Sequence, residues 1–356
     1  MKTYLPSDMN VKPLGRTLFR ENMRWMCYSA TGVEFLFEGK TLCIVLQGDD
    51  RCETEGMGGN LARVRVLADG VCIADAMIQK ADTRLEYTLS ENNLPVRKVI
   101  RVLKVSETAM STVAIREITV DDDAVICPTK KKQHLIEFAG DSITCGYGVD
   151  DEVAEHTFKT DTEDATKAYA YLTCQALDCD HSLVSISGYG IISGYSGDGE
   201  RRADQLLPTY YEKMGFSYGS MNGVYPQDVP WNFEKMQPDL VVINLGTNDQ
   251  SFTLKKEALC REYCEEYQRF LKTIRRNNPN AKILSILGIM GMDLCAMAEK
   301  AVAEYKEETG DENVRFVPFE EQLEEDGRAA DWHPSQLTHK KVAARLAEIV
   351  RNYMNW

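Results

Sequence analysis

The chain has 356 residues, 44% of them hydrophobic, and a formal net charge of −14. That length is long for one core and comfortable for two domains, because single cores stop growing at roughly 250–300 residues. The acidic balance argues against a nucleic-acid partner, whose phosphates are bound mainly by Lys and Arg, and the one dense basic run, Lys130-Lys131-Lys132, is too short to reverse it.

No stretch of about 18 apolar residues offers a membrane span. The N-terminal MKTYLPSDMNVKPLG lacks the apolar centre of a signal peptide. The expectation is a soluble cytoplasmic protein without a membrane partner, or a secreted one whose signal has been removed. Eleven cysteines, an odd number scattered through strand and helix patterns, fit a reducing compartment. Cys260 and Cys264 lie four apart and Cys179 is near His181, but no second pair at zinc-site spacing joins them. Neither a metal nor another cofactor is expected.

From Gly32 to about Val120 the pattern is short strands: GVEFLF, TLCIVLQ, ARVRVLA, VCIAD, VRKVIRVLKV and VAIREITV. They are rich in β-branched residues and separated by turn signals at Glu38-Gly39, Gly58-Gly59-Asn60 and Asp69-Gly70. With no long helical period between them, they predict an all-β sandwich or jelly roll over residues 1–130. Trp25, Tyr28 and Tyr87 are either its core or an exposed carbohydrate-binding surface. Asp121-Asp122-Asp123, Cys127-Pro128-Thr129 and the lysines read as the connector.

Residues 131–356 change texture. Strand candidates begin at Leu135, Ser182, Asp239, Lys282 and Val314, with helical patterns around 165–177, 255–276, 294–308 and 337–353. This alternation predicts an α/β domain, a parallel sheet with helices on both faces, whose ligands sit beyond the carboxyl ends of the strands.

Three segments carry polar residues to that rim. LIEFAGDSITCGYG, from Leu135, is a short apolar strand broken by Gly140-Asp141-Ser142. NLGTND, Asn244 to Asp249, is another strand ending in a loop with Asn248 at its tip. ADWHPS puts His333 two residues after Asp331, ahead of a final amphipathic helix. A serine hydroxyl needs an adjacent base to attack at neutral pH, so Ser142 is the candidate nucleophile and His333 the base. Asp331 is the candidate orienting acid; the alternative is a Ser–His pair held by a backbone carbonyl, with Asp331 solvated. The oxyanion donors expected are the backbone N–H groups of Ser142 and of Gly188 in SISGYG, with Gly190 as a rival, and the Asn248 side chain. Asp141 and Asp249 are assigned to structural hydrogen bonds.

In this order the blocks resemble the SGNH (GDSL-type) hydrolases from Leu135 to the C-terminus. With the preceding β-domain, and with VPWNFEKMQPDLVVINLGTND and DWHPS, nearly the whole chain resembles carbohydrate esterase family 2. The resemblance implies a three-layer SGNH-type α/β domain and a metal-free serine esterase that removes O-acetyl groups from hemicellulose saccharides such as xylan or mannan. It also implies that Trp231 forms an aromatic wall for a sugar ring. It departs from the wider superfamily in placing the acid two residues before the histidine, not three. The alternatives are an esterase, lipase or thioesterase for non-carbohydrate esters, and a noncatalytic carbohydrate-binding protein.

Overall fold

A computed structural model describes residues 1–52 and 60–356, so the turn expected at Gly58-Gly59 lies outside the described residues. The chain forms two compact units. The first comprises Met1–Lys131 with two later segments, Lys159–Glu163 and Lys213–Pro230; the second comprises the remainder from Lys132.

The first unit is built of two six-stranded antiparallel sheets. One runs in the order Thr17–Arg20, Met23–Met26, Val113–Val120, Thr41–Gly48, Thr83–Thr88, with Lys2–Tyr4 also on Val113–Val120. The other runs Val125–Pro128, Thr31–Gly39, Val96–Lys104, Ala62–Ala68, Val71–Ile78, with Lys12–Leu14 on Thr31–Gly39. Inward-facing side chains of both sheets, among them Phe35, Phe37, Ile44, Val64 and Val102, form one buried core, as the two-residue period of a half-buried strand requires. In Val113–Val120 the buried series Val113, Ile115, Ile118, Val120 skips one residue, and the pairing register shifts between Ile115 and Glu117. A bulge there keeps both ends of the strand facing inward.

Two expectations change. Val125–Pro128 is a strand paired with Thr31–Gly39, not part of a connector. Trp25 and Tyr28 are fully buried, which makes them core residues instead of a carbohydrate surface. The two later segments are held by polar contacts that leave no local sequence signal: the Glu107 N–H donates to Glu163 Oε2 (2.6 Å), Thr108 Oγ1 to the Phe216 carbonyl (2.6 Å), and the Ser220 N–H to Asp50 Oδ1 (2.6 Å).

The second unit is a five-stranded, wholly parallel sheet: β1 Leu135–Gly140, β2 Asp180–Ser185, β3 Leu240–Asn244, β4 Lys282–Leu287 and β5 Val314–Pro318, in the order 2-1-3-4-5. Its helices are α1 Ser142–Cys145, α2 Tyr169–Ala176, α3 Thr247–Thr253, α4 Glu257–Asn277, α5 Cys295–Thr309 and α6 Gln336–Met354, beside a one-turn helix at Leu207–Tyr210. α2 packs with α6, and α4 packs with α5. Crossovers between parallel strands are right-handed, so a chain that moves one way from β1 to β2 and the other way from β3 to β5 lays these two pairs on opposite faces. The strand order reverses between β1 and β3, which leaves a crevice at their carboxyl ends where open α/β sheets bind ligands. Ser142 follows β1 and Asn248 follows β3.

Candidate active site

β1 ends at Gly140, where a Cβ would lie 2.1 Å from Thr144 Oγ1. Glycine therefore lets the chain fold back over its own strand end. Asp141 closes the turn by accepting the Ile143 N–H (3.0 Å), Thr144 Oγ1 meets the Tyr169 hydroxyl (2.9 Å), and Gly146, left-handed at φ 80°, stops the helix after one turn. This compact corner presents the Ser142 hydroxyl.

His333 Nε2 lies 2.9 Å from Ser142 Oγ, and Nδ1 lies 3.1 Å from the backbone carbonyl of Asp331. A carbonyl can only accept, so Nδ1 carries the proton and the neutral Nε2 lone pair faces the serine hydroxyl. That is the tautomer a general base requires. Burial pushes the imidazole down to about 4 against the pull of neighbouring carbonyls, so it is neutral at neutral pH. The Tyr147 ring stacks on its face at 4.0 Å, and Phe158 stacks with Tyr147 at 4.1 Å.

The expectation for Asp331 is corrected here. Its carboxylate accepts hydrogen bonds from the Tyr147 hydroxyl (2.8 Å) and the Phe158 N–H (2.9 Å), and its carbonyl is what meets the histidine. The physical reason is backbone conformation: Asp331 (φ 47°) and Trp332 (φ 58°) are both left-handed, which turns the carbonyl toward the ring and the side chain away. The alternative of a Ser–His pair on a backbone carbonyl is the arrangement present, although Asp331 is bonded and not solvated.

Asn248, on the first turn of α3, donates both Nδ2 hydrogens, one to the Tyr189 carbonyl (2.9 Å) and one to Asp141 Oδ2 (3.3 Å). Gly188 is left-handed (φ 81°), and a Cβ there would meet nothing within 4 Å. Among the described residues, neither its N–H nor that of Ser142 has a hydrogen-bond partner. Gly190 differs: its N–H donates to the Gln205 carbonyl (3.1 Å), and a Cβ would lie 2.6 Å from Asp249 Oδ2. It is a packing glycine. Asp249 Oδ1 accepts the N–H groups of Ile191 (2.9 Å), Ile192 (2.7 Å) and Ser193 (3.2 Å), which pins the Gly188 loop against α3. Burial raises Asp141 to about 7 and Asp249 to about 6, against the backbone donors that favour their charged forms.

Trp231 is not brought to this rim. Its N–H donates to the Glu212 carbonyl (2.9 Å), and the Glu212 carboxylate is held by Arg276 and Asn277 at the end of α4, where the chain turns into the start of β4. Trp231 therefore stands where the strands enter the sheet, opposite Ser142. The aromatic side chains that sequence reading missed are Tyr147, inside the quoted GDSITCGYG, and Trp332, which is 56% exposed beside His333. Tyr195, 62% exposed on the loop whose N–H bonds the Gly188 carbonyl (2.8 Å), is a third.

Residues 138–341 match the GDSL-like lipase/acylhydrolase family. The chain belongs to that family. A cellulase/esterase of Acetivibrio thermocellus, CelE, is 30% identical over 257 residues, which cover 71% of this chain and 30% of CelE. An acetylxylan esterase/glucomannan deacetylase of Cellvibrio japonicus is 26% identical and covers 99% of this chain and 92% of its own length. The structure of a family two carbohydrate esterase from Clostridium thermocellum in complex with cellohexaose superposes with a TM-score of 0.82 at 26% identity, covering 97% of this chain and 99% of that one. This GDSL-family chain therefore shares the whole two-unit architecture of that esterase. No described helix is long and apolar enough to cross a membrane.

Proposed function

We propose that this GDSL-family chain is a serine esterase that removes O-acetyl groups from hemicellulose-type saccharides through an acyl-enzyme, with Ser142 as nucleophile and His333 as base. The observation that carries the reading is the 2.9 Å contact between Ser142 Oγ and a His333 Nε2 whose tautomer is fixed by the Asp331 carbonyl. The names of the relatives supply the substrate class.

Ser142 Oγ attacks the acetyl carbonyl carbon while its proton passes to His333 Nε2. The oxyanion that forms is met by the N–H groups of Ser142 and Gly188 and by Asn248, whose amide stays anchored on the Tyr189 carbonyl through one hydrogen while the other exchanges its longer bond to Asp141 Oδ2 (3.3 Å) for the oxyanion. The ester C–O bond then breaks, and the imidazolium returns its proton to the departing sugar oxygen. Water, deprotonated by the same nitrogen, attacks the acetyl-serine; the acyl C–Oγ bond breaks, the imidazolium returns its proton to Ser142 Oγ, and acetate leaves. Each prearranged donor is worth about 10²–10³ in rate. Trp332 and Tyr195 offer exposed aromatic faces for the apolar side of a pyranose.

The test is acetate release from acetylated xylo- and manno-oligosaccharides by wild type and Ser142→Ala. Loss of the nucleophile should lower turnover by at least about 10³-fold. Equal release by both refutes the mechanism, and a preference for octanoyl over acetyl esters moves the substrate to lipid-like esters.

A further inference from the structure

We infer that the Asp331 carboxylate and Tyr147 are positioning residues: together they hold the left-handed turn whose carbonyl, in place of a carboxylate, orients His333. The inference rests on the reading of Ser142 and His333 as nucleophile and base, and it assigns to two side chains the work that a triad divides differently.

Two consecutive non-glycine residues with positive φ occupy a sparsely populated conformation, and such conformations persist only when the surroundings over-determine them. Here the surroundings are the segment following α1. The Asp331 N–H donates to the His156 carbonyl (3.0 Å) and the Trp332 N–H to the Ala154 carbonyl (3.3 Å). The Asp331 carboxylate adds the third and fourth restraints through the Tyr147 hydroxyl and the Phe158 N–H. Tyr147 acts twice, because its ring also lies flat on the imidazole, 23° from parallel, and is itself backed by Phe158. One side chain therefore sets the plane of His333 with its face and secures the acceptor of Nδ1–H with its hydroxyl. In a triad the carboxylate touches the histidine, and exchanging it for an amide costs about 10⁴ because the wrong tautomer results. Here the touching group is a carbonyl that side-chain substitution cannot remove, so what a substitution changes is placement.

The consequence is a pattern of effects unlike a triad's. Asp331→Asn keeps an amide oxygen able to accept from Tyr147 or Phe158, and asparagine tolerates the left-handed region; kcat should stay within about fivefold of wild type. Asp331→Ala loses both restraints, and a misplacement of the order of 1 Å costs about 10² in rate; kcat should fall about 10- to 100-fold with KM within about threefold. Tyr147→Phe keeps the stack and loses the hydroxyl, so it should cost about 3- to 10-fold in the wild-type background and less than about twofold in Asp331→Ala, since coupled residues are not additive.

The experiment measures kcat and KM for acetate release by wild type and these four variants and, in parallel, the rate at which Ser142 is labelled by a fluorophosphonate, a probe that needs the activated serine but no sugar. Labelling that follows the same order while wild type releases no acetate supports the positioning role and refutes only the substrate. A 10⁴-fold loss in Asp331→Asn, independent multiplicative effects of Tyr147→Phe and Asp331→Ala, unchanged rates in Asp331→Ala, or no labelling of wild type each overturns the inference.

Discussion

Asp249 gives the most direct quantitative test of how the loop that carries Gly188, a proposed oxyanion donor, is supported. Its side chain is fully buried, and the three N–H groups that Oδ1 accepts belong to Ile191, Ile192 and Ser193, each at most 3% exposed. Asp249→Ala removes the only acceptor these donors have among the described residues. An unsatisfied buried donor costs about 1–3 kcal/mol, so three cost about 3–9 kcal/mol if the space stays dry. A water entering the vacated volume can accept from two of the three, which leaves one donor unsatisfied and brings the loss to about 1–3 kcal/mol. For a domain of this size each kcal/mol lowers Tm by about 2–4 °C, so calorimetry should show a drop of about 2–12 °C, and more if the space stays dry. Asp249→Asn can keep its carbonyl oxygen at the Oδ1 position and should fall by less than half as much. Because Gly188 begins the same loop, acetate turnover measured well below the new Tm should fall as well. A Tm within about 2 °C of wild type for Asp249→Ala, with turnover intact, refutes the reasoning.

Three further outcomes follow from the site. With His333 held near 4 by burial, kcat/KM should stay level from pH 8 to about 5 and fall with a midpoint near 4. An imidazole at its ordinary 6.5 would already be about 90% protonated at pH 5.5. A midpoint near 6.5 therefore sinks the assignment, whereas a separate inflection near 7 that Asp141→Asn abolishes reports Asp141. The same burial acts on stability with a definite sign: His333 and His339 (about 3) have folded values below the unfolded one, so their contribution is complete above about 6.5 and erodes as pH falls toward 4 and 3. Asn248→Ala should lower kcat by about 10²–10³ with little change in KM, as read by initial rates of acetate release; a loss under threefold removes Asn248 from the oxyanion site.

What could be read beforehand depended on whether the information was local. Lys282–Leu287 and Val314–Pro318 are strands with the bounds their apolar runs suggest, and the strands that flank Asp69-Gly70 pair as a hairpin. Thr83–Thr88 escaped notice because it is a half-exposed edge strand, bonded among the described residues to Thr41–Gly48 alone, so its alternation mixes Arg and Glu with Leu and Tyr. Asp331 was misread for a different reason. Its spacing from His333 says nothing about which of two oxygens on the same residue reaches the ring; that is decided by φ at Asp331 and Trp332, and therefore by carbonyls at Ala154 and His156 far away in sequence. Trp231 was placed by resemblance alone, without the fold position that sets it at the opposite end of the sheet.

An orienting carbonyl has a chemical cost and a chemical advantage. A carboxylate on Nδ1 would both select the tautomer and stabilise the imidazolium formed when Ser142 is deprotonated. The Asp331 carbonyl selects the tautomer equally well but contributes only a dipole to the second task, and burial leaves the ring at about 4, a weak base for removing the serine proton. In the proposed mechanism, attack then leans on the proposed oxyanion donors and on the short, prearranged Ser142–His333 contact. The same low value makes the imidazolium a strong acid, poised to protonate the sugar oxygen as the ester C–O bond breaks. An alkoxide is a poor leaving group, so in the proposed mechanism this proton return is what allows an ester of a sugar hydroxyl to be cleaved, whereas thioesters and aryl esters, whose leaving groups depart as stable anions, depend on it less.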